Sequence, residues 1–269
     1  MDTLYYLIQN TLPVAIPLLL VALGGMFSER SGVVNIALEG IMLFGTFFGC
    51  LFVYFIQGTP IIAQIVLLLG MLVAAASGFL YSMLLSFAAV NMKADQTITG
   101  TALNMLIPAA ILLFSKMFFN SDGITTDKNF YLKEVPGLSN IPVIGKLLFQ
   151  NTYITVYIGI LFLVISTIIF YKTKFGLRLR ACGEHPHAAD SVGINVYFMR
   201  HAGVGLSGTL GGIGGFFYAV GVMNGSTNCH TGVAGFGFLA LAVMIFGQWK
   251  PLKILLAALF FAFLSTGFI

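Results

Sequence analysis

An all-α, polytopic membrane helix bundle is the fold class this sequence predicts, and three observations carry it. Hydrophobic residues make up 58% of the 269 and charged residues only 8%, with a mean hydropathy of +0.98; a soluble domain carries about a quarter charged residues. Apolar runs of about 20 residues, enough to cross a bilayer as a helix, recur along the chain. The alternating segments of a membrane β-barrel do not occur. About eight spans are expected, forming a single domain over 1–269 with no stretch long enough to be a soluble unit.

The first span is expected over about Leu4 to Gly25, packed and kinked because Pro13 and Pro17 lie inside it. It lacks a preceding basic region and a following small-residue cleavage site, so it reads as a retained helix. The second span is expected over about Asn35 to Ile56, with Asn35 and Glu39 four residues apart on one helical face. The third, Ile61 to Val90, is long enough to tilt strongly or to break near Gly70 or Gly78. The fourth runs from about Thr97 to Phe119, with Asn104 and Pro108 inside. Residues 120–151 form a mixed-charge loop with turns at Pro136, Gly137, Pro142 and Gly145.

Spans five and six, about Thr152 to Tyr171 and His201 to Val222, bracket a polar island from Tyr171 to His201. Within it, Pro186 to Gly193 has the marks of a short helix, with Pro at the start, small residues next and Gly at the end. A seventh span, about Gly232 to Gly247, leads through QWKPLK into an eighth apolar run. No basic stop or polar tail follows that run, so a truncated chain is expected.

Charge sets the orientation. Lys172, Lys174, Arg178, Arg180 and Arg200 lie in the island, and alternation puts Arg30, Lys93, Lys250 and Lys253 on its side. Lys116, Lys128, Lys133 and Lys146 fall on the other, which places the island in the cytoplasm and the N-terminus outside. The net charge of +4 records this asymmetry and gives no support to nucleic-acid binding.

Among residues with chemical potential, Glu39 is the most telling, because a carboxylate inside a membrane is costly and faces a cavity or a partner. Either it lines a pathway, or it lies near the interface, pairing with Arg30 or capping a broken helix. Asn104, with Thr97, Thr99 and Thr101, offers a second polar face suited to substrate contact or to helix-to-helix hydrogen bonds. Gly203, Gly205 and Gly208 spell a dinucleotide fingerprint, but no strand precedes them and no acidic residue follows about 20 positions on. Close packing explains them better: Gly208 and Gly212, Gly211 and Gly215, and Gly221 and Gly225 each satisfy G-x-x-x-G.

A phosphate-binding G-x-x-x-x-G-K-[ST] motif is missing, so ATP and Mg would have to sit on a separate chain. Cys50, Cys182 and Cys229 are too few and too scattered for a disulfide framework. Cys182 with His185 and His187, or Cys229 with His230, falls short of a metal ligand set. No nucleophile–base constellation stands out, which speaks against an enzyme. The residues alone leave open a permease subunit, an ion- or proton-coupled secondary transporter of small polar solutes, and a membrane enzyme or purely structural subunit.

Three ordered segments narrow this choice. FSERSGVVNIALEGIMLFGTF, ADQTITGTALNML and GLRLRACGEHPHAADSVGINV resemble ABC importer permeases of the branched-chain amino acid and simple-sugar superfamily, most closely its nucleoside and simple-sugar branch. The resemblance implies that Gly183, Glu184, His185, Pro186, Ala188, Ala189 and Gly193 form a cytoplasmic coupling helix, within a coupling loop near 172–200. His185 and His187 stand where Asn and Lys are more usual. It implies that Asn35, Glu39 and Asn104 line or buttress the pathway. It further implies two ATPase subunits, a second identical or different permease chain, an extracytoplasmic substrate-binding protein, a prokaryotic plasma membrane, and alternating access driven by ATP.

Overall fold

A computed structural model describes residues 2–124, 126, 130–134, 150–223, 227–228 and 233–267. Ten α-helices carry the fold: α1 (Asp2–Glu29), α2 (Leu38–Ile56), α3 (Ala63–Ser86), α4 (Gln96–Phe119), α5 (Ile154–Lys172), α6 (Lys174–Glu184), α7 (Pro186–Ser191), α8 (Val196–Gly221), α9 (Phe236–Phe246) and α10 (Pro251–Gly267). Helix starts follow local side-chain chemistry. Asp95 accepts from the amides of Thr97 and Ile98 at 2.8 and 2.9 Å ahead of α4, and Asn195 accepts from Phe198 at 2.9 Å ahead of α8. Among the described residues strands are confined to two short antiparallel pairs in the loops. In these, β1 (Gly123–Ile124) meets β4 (Thr227–Asn228), and β2 (Tyr131–Glu134) meets β3 (Gln150–Tyr153).

Among the described residues six helices are long and apolar enough to cross a bilayer, namely α1, α2, α3, α4, α5 and α8. Two of them form the centre: 89% of the α1 span and of the α8 span is buried, against 22% of α4. An all-round apolar helix belongs inside a bundle, and α1 and α8 hold that place. The outer helices turn large side chains such as Leu80, Met105, Leu161 and Phe260 away from the protein.

Glycine lets α8 sit there. A Cβ on Gly208 would strike Ser82, one on Gly212 the Ala74 carbonyl, and one on Gly215 the Met42 carbonyl. Gly211 lies against Ile41, and a Cβ there would stand 2.9 Å from its Cγ2. In hydrocarbon, association of helices depends on such close packing rather than on expulsion of water. The contacts also give direction. Gly208 to Gly212 meet α3 in reverse order, from Ser82 to Ala74, while Gly211 to Gly215 meet α2 in the same order, from Ile41 to Met42.

One end of the bundle gathers the island. Arg30 pairs with Glu184 at 3.8 Å, Ser86 bonds His201 at 2.6 Å, and Trp249 reaches Glu29. The opposite end carries the β1–β4 pair and the Lys116–Asp122 ion pair at 3.4 Å. Lys128 and Lys146 lie outside the described residues.

The expected elements differ from the structure in four places. The second helix begins at Leu38, so Asn35 precedes it and does not share a helical face with Glu39. The third helix runs unbroken through Gly70 and Gly78, and its irregularity is a π-turn at Phe87–Asn91. The stretch before Pro186, expected as loop, is helix α6, with Leu179 and Cys182 turned inward three residues apart. The seventh apolar run yields only the 11 residues of α9, about 16 Å of helix against the about 30 Å of a hydrocarbon core. It is a half-helix rather than a span.

If α8 depends on backbone-to-backbone contact, Gly212→Ala lowers thermal stability by about 1–3 kcal/mol, the usual cost of overpacking. Gly58→Ala, at a position with no atom within 4 Å of the added methyl, leaves the melting temperature unchanged. Detergent-solubilised unfolding curves compare the two.

Candidate functional site

The first candidate region is where two broken elements meet inside the bundle. After α1 the chain reverses at Gly32, which holds φ +89. It then re-enters as irregular backbone from Val33 to Ala37, and both Val33 and Ala37 are buried. Non-helical backbone at membrane depth survives only when protein groups satisfy it. Here the N–H of Val34 donates to Gln96 Oε1 at 2.7 Å. Asn104 Nδ2 donates to the Ile36 carbonyl at 2.8 Å, and its Oδ1 accepts from the Gly40 amide at 2.8 Å. The fully buried Asn35 donates through Nδ2 to Ser207 Oγ at 2.8 Å. Its Oδ1 is buried with no hydrogen-bond partner.

Glu39 completes the region from the first turn of α2. Its Oε1 accepts from the Gly235 amide at 2.9 Å and its Oε2 from the Gly237 amide at 2.6 Å. The carboxylate thus caps α9, where the open amides and positive end of a helix favour an anion. A Cβ on Gly237 would strike the Glu39 backbone, so the two chains touch directly. Depth follows from register. The Leu38 and Ile41 side chains lie over Gly211, which sits about 22 Å along the about 39 Å of α8. Glu39 therefore acts near mid-depth, and the Arg30 side chain pairs with Glu184 instead.

The second region is the displayed helix. α6 ends at Glu184, His185 breaks the path with φ −139 and ψ 81, and Pro186 opens α7 at the first helical position. Gly193, at φ +81, closes it: its amide donates to Asp190 at 2.9 Å and the Ile194 amide to Ala189 at 3.1 Å. That pair of bonds is the Schellman stop that a glycine just past the helix provides. Ala189 is buried as the anchor, whereas Glu184, His185, His187 and Ala188 are exposed. A Cβ on Gly183 would strike the Arg30 carbonyl, so the segment before α7 rests on the end of α1.

Between α7 and the α3–α4 link lies a cleft of about 490 Å³, lined among others by Lys93, His187, Asp190, Tyr197 and Arg200. Burial pushes the Cys182 thiol up from its ordinary range, against the opposing pull of Arg200, so it stays protonated at neutral pH. Cys182 is buried while His185 and His187 face outward, and no group of three His, Cys, Asp or Glu side chains converges among the described residues. Cys229 and His230 lie outside the described residues.

Sequence reading singled out Asn35, Glu39 and Asn104 but missed their partners. Ser207, the Ile36 carbonyl and the amides of Gly40 and α9 carry no signal beyond being polar, or backbone, in apolar surroundings, and the same holds for Gln96, which serves Val34. Glu29 and Trp249, 220 residues apart and joined at 2.7 Å, were likewise invisible as a pair.

Irregular backbone and a short helix that meet at mid-depth, beside a helix held out at one end, fit a membrane transport subunit. The family described as "Branched-chain amino acid transport system / permease component" matches residues 7–269, and this chain belongs to it. It is 47% identical over 264 residues to a guanosine ABC transporter permease protein of Bacillus subtilis, covering 97% of this chain and 81% of that one. It is 41% identical to a nucleoside ABC transporter permease protein of Lactococcus lactis, covering 98% and 82%. A putative glucose ABC transporter permease protein of Haloferax volcanii is 29% identical, with 97% and 76% covered. No solved structure matches the chain. The chain is a transport component of a multi-pass membrane type rather than an enzyme.

Removing the Glu39 carboxylate leaves two amides open at mid-depth. Glu39→Ala is expected to lower stability by about 2 kcal/mol or more and to raise hydrogen exchange at Gly235 and Gly237 selectively. Unchanged exchange at these two amides would contradict the capping role.

Proposed function

We propose that this chain is the permease subunit of a prokaryotic ABC importer for nucleosides, with α7 as its coupling helix. The observation that carries the reading is the construction of that helix. Pro186 and Gly193 fix its ends, Ala189 anchors it, and Gly183 seats its approach on the end of α1. This helix and the break before it present Glu184, His185 and Ala188 to a separate ATPase that holds ATP and Mg. The nucleoside class is supported by the two relatives above 40% identity, whose names specify guanosine and nucleosides.

Substrate reaches the outer end from a binding protein, and a second permease chain forms the other half of the pathway. Asn35, Glu39 and Asn104 then act at the middle of the route. Glu39 and Asn104 hold the broken backbone in place, and Asn35 keeps one unpaired oxygen. Alternating access requires rigid elements with two arrangements, and the close-packed α1–α8 centre supplies the fixed frame.

The coupling loop is tested by substitution. Glu184→Arg or Pro186→Gly is expected to abolish uptake of radiolabelled nucleoside in cells lacking the native chain, while membrane insertion and yield stay normal. Normal uptake with either variant sinks the coupling assignment, and uptake of a simple sugar but no nucleoside sinks the substrate class.

A further inference from the structure

We propose that α9 is the strut that carries movement of the coupling segment to mid-depth, and that Trp249 and Glu39 are the positioning residues at its two ends. This rests on the reading of α7 as the coupling helix and names the route that motion takes from it.

At its lower end α9 enters one connected cluster. Trp249 Nε1 donates to Glu29 Oε2 at 2.7 Å. The Arg30 guanidinium lies 5.8 Å from the Trp249 ring centre and 3.8 Å from Glu184, the last residue of α6. The half-helix therefore ends against the residues on which the coupling segment rests. Gln248 and Trp249 both hold φ +53, a conformation that non-glycine residues keep only when their surroundings fix it. The fixing contacts are visible: the indole bond, the Gln248 amide to the Ile245 carbonyl at 2.9 Å, and Lys253 Nζ to Gln248 Oε1 at 2.6 Å.

The upper end repeats the device. Ala234 and Gly235 are a second left-handed pair, at φ +54 and +79, and the Glu39 carboxylate holds the amides of Gly235 and Gly237. Between the two corners lie 11 helical residues, about 16 Å, with Ala240, Val243 and Met244 buried in the bundle. A hydrogen-bonded helix of this length does not absorb a displacement internally. A shift of Glu184 that moves Arg30 and Trp249 thus reappears at Glu39, beside the polar break at Asn35.

The test uses the complete transporter, with both permease chains, ATPase and binding protein, in proteoliposomes, and reads nucleoside taken up per ATP hydrolysed. Trp249→Phe keeps a ring and removes the indole N–H; uptake per ATP is expected to fall about fivefold or more. Glu29→Leu, which removes the acceptor, gives the same loss. Glu29→Gln, whose carbonyl still accepts from the indole, keeps the ratio within about twofold, and Trp249→Phe with Glu29→Leu is no worse than either alone. An unchanged ratio in Trp249→Phe or in Glu29→Leu overturns the strut. Should Trp249→Phe fail to accumulate, Glu29→Leu against Glu29→Gln decides the same question. Pro186→Gly in the same liposomes separates the two readings: its normal uptake removes the coupling helix, whereas lost uptake with unaltered Trp249 and Glu29 variants removes only the strut.

Discussion

Everything about this chain depends on one requirement, that backbone groups inside a bilayer find partners within the protein. Among the described residues six spanning helices meet most of it internally, Pro13, Pro17 and Pro108 being the interruptions. The segment from Val33 to Ala37 and the start of α9 do not, and polar side chains close the gap one group at a time. Asn104 serves a carbonyl of the broken segment and an open amide in the first turn of α2, Gln96 serves an amide of the segment, and Glu39 serves two amides of α9. The intramembrane carboxylate that stood out in the sequence is therefore first a structural group. Two charge-assisted hydrogen bonds at the positive end of a helix oppose part of the cost of burying it.

That accounting explains where flexibility and rigidity lie. The central helix α8 is locked against α3 and α2 by close contact at Gly208, Gly212 and Gly215, the last two meeting backbone carbonyls directly. Helix α9 is fastened differently: Ala240, Val243 and Met244 pack into the bundle, while one carboxylate, one indole bond and two left-handed corners fix its ends. Under the strut proposal, those polar end contacts are where a displacement enters and leaves the helix.

How much of this was legible in the sequence follows from the same physics. Hydrophobic length located six spans because in lipid the apolar run is the helix. Spacing of small residues located Gly208, Gly211, Gly212 and Gly215, which lie against α2 and α3, since close approach needs the missing Cβ. Proline and glycine delimited α7 because both act through local backbone geometry. Hydropathy could not separate α9 from a full span, since the stretch leading into it is also apolar or small. Asn35 was placed on the helix with Glu39 because an apolar run does not reveal that its first residues are unwound. The partners of the polar groups, lying 62 to 198 residues away, are tertiary facts with no local trace.

The polar census at mid-depth bears on recognition. Both Glu39 oxygens and both ends of the Asn104 amide are committed to backbone, and the Asn35 amide nitrogen is committed to Ser207. Among the described residues of this region, the buried atoms left without a partner are Asn35 Oδ1 and Thr46 Oγ1. Strong discrimination between small polar molecules needs several buried donors and acceptors matched to the ligand, because each unpaired one penalises the wrong molecule. Two acceptor-capable oxygens are too few for that task. If the proposed pathway passes this region, it is suited to carry a substrate already chosen at the outer surface, as an importer fed by a separate binding protein would require.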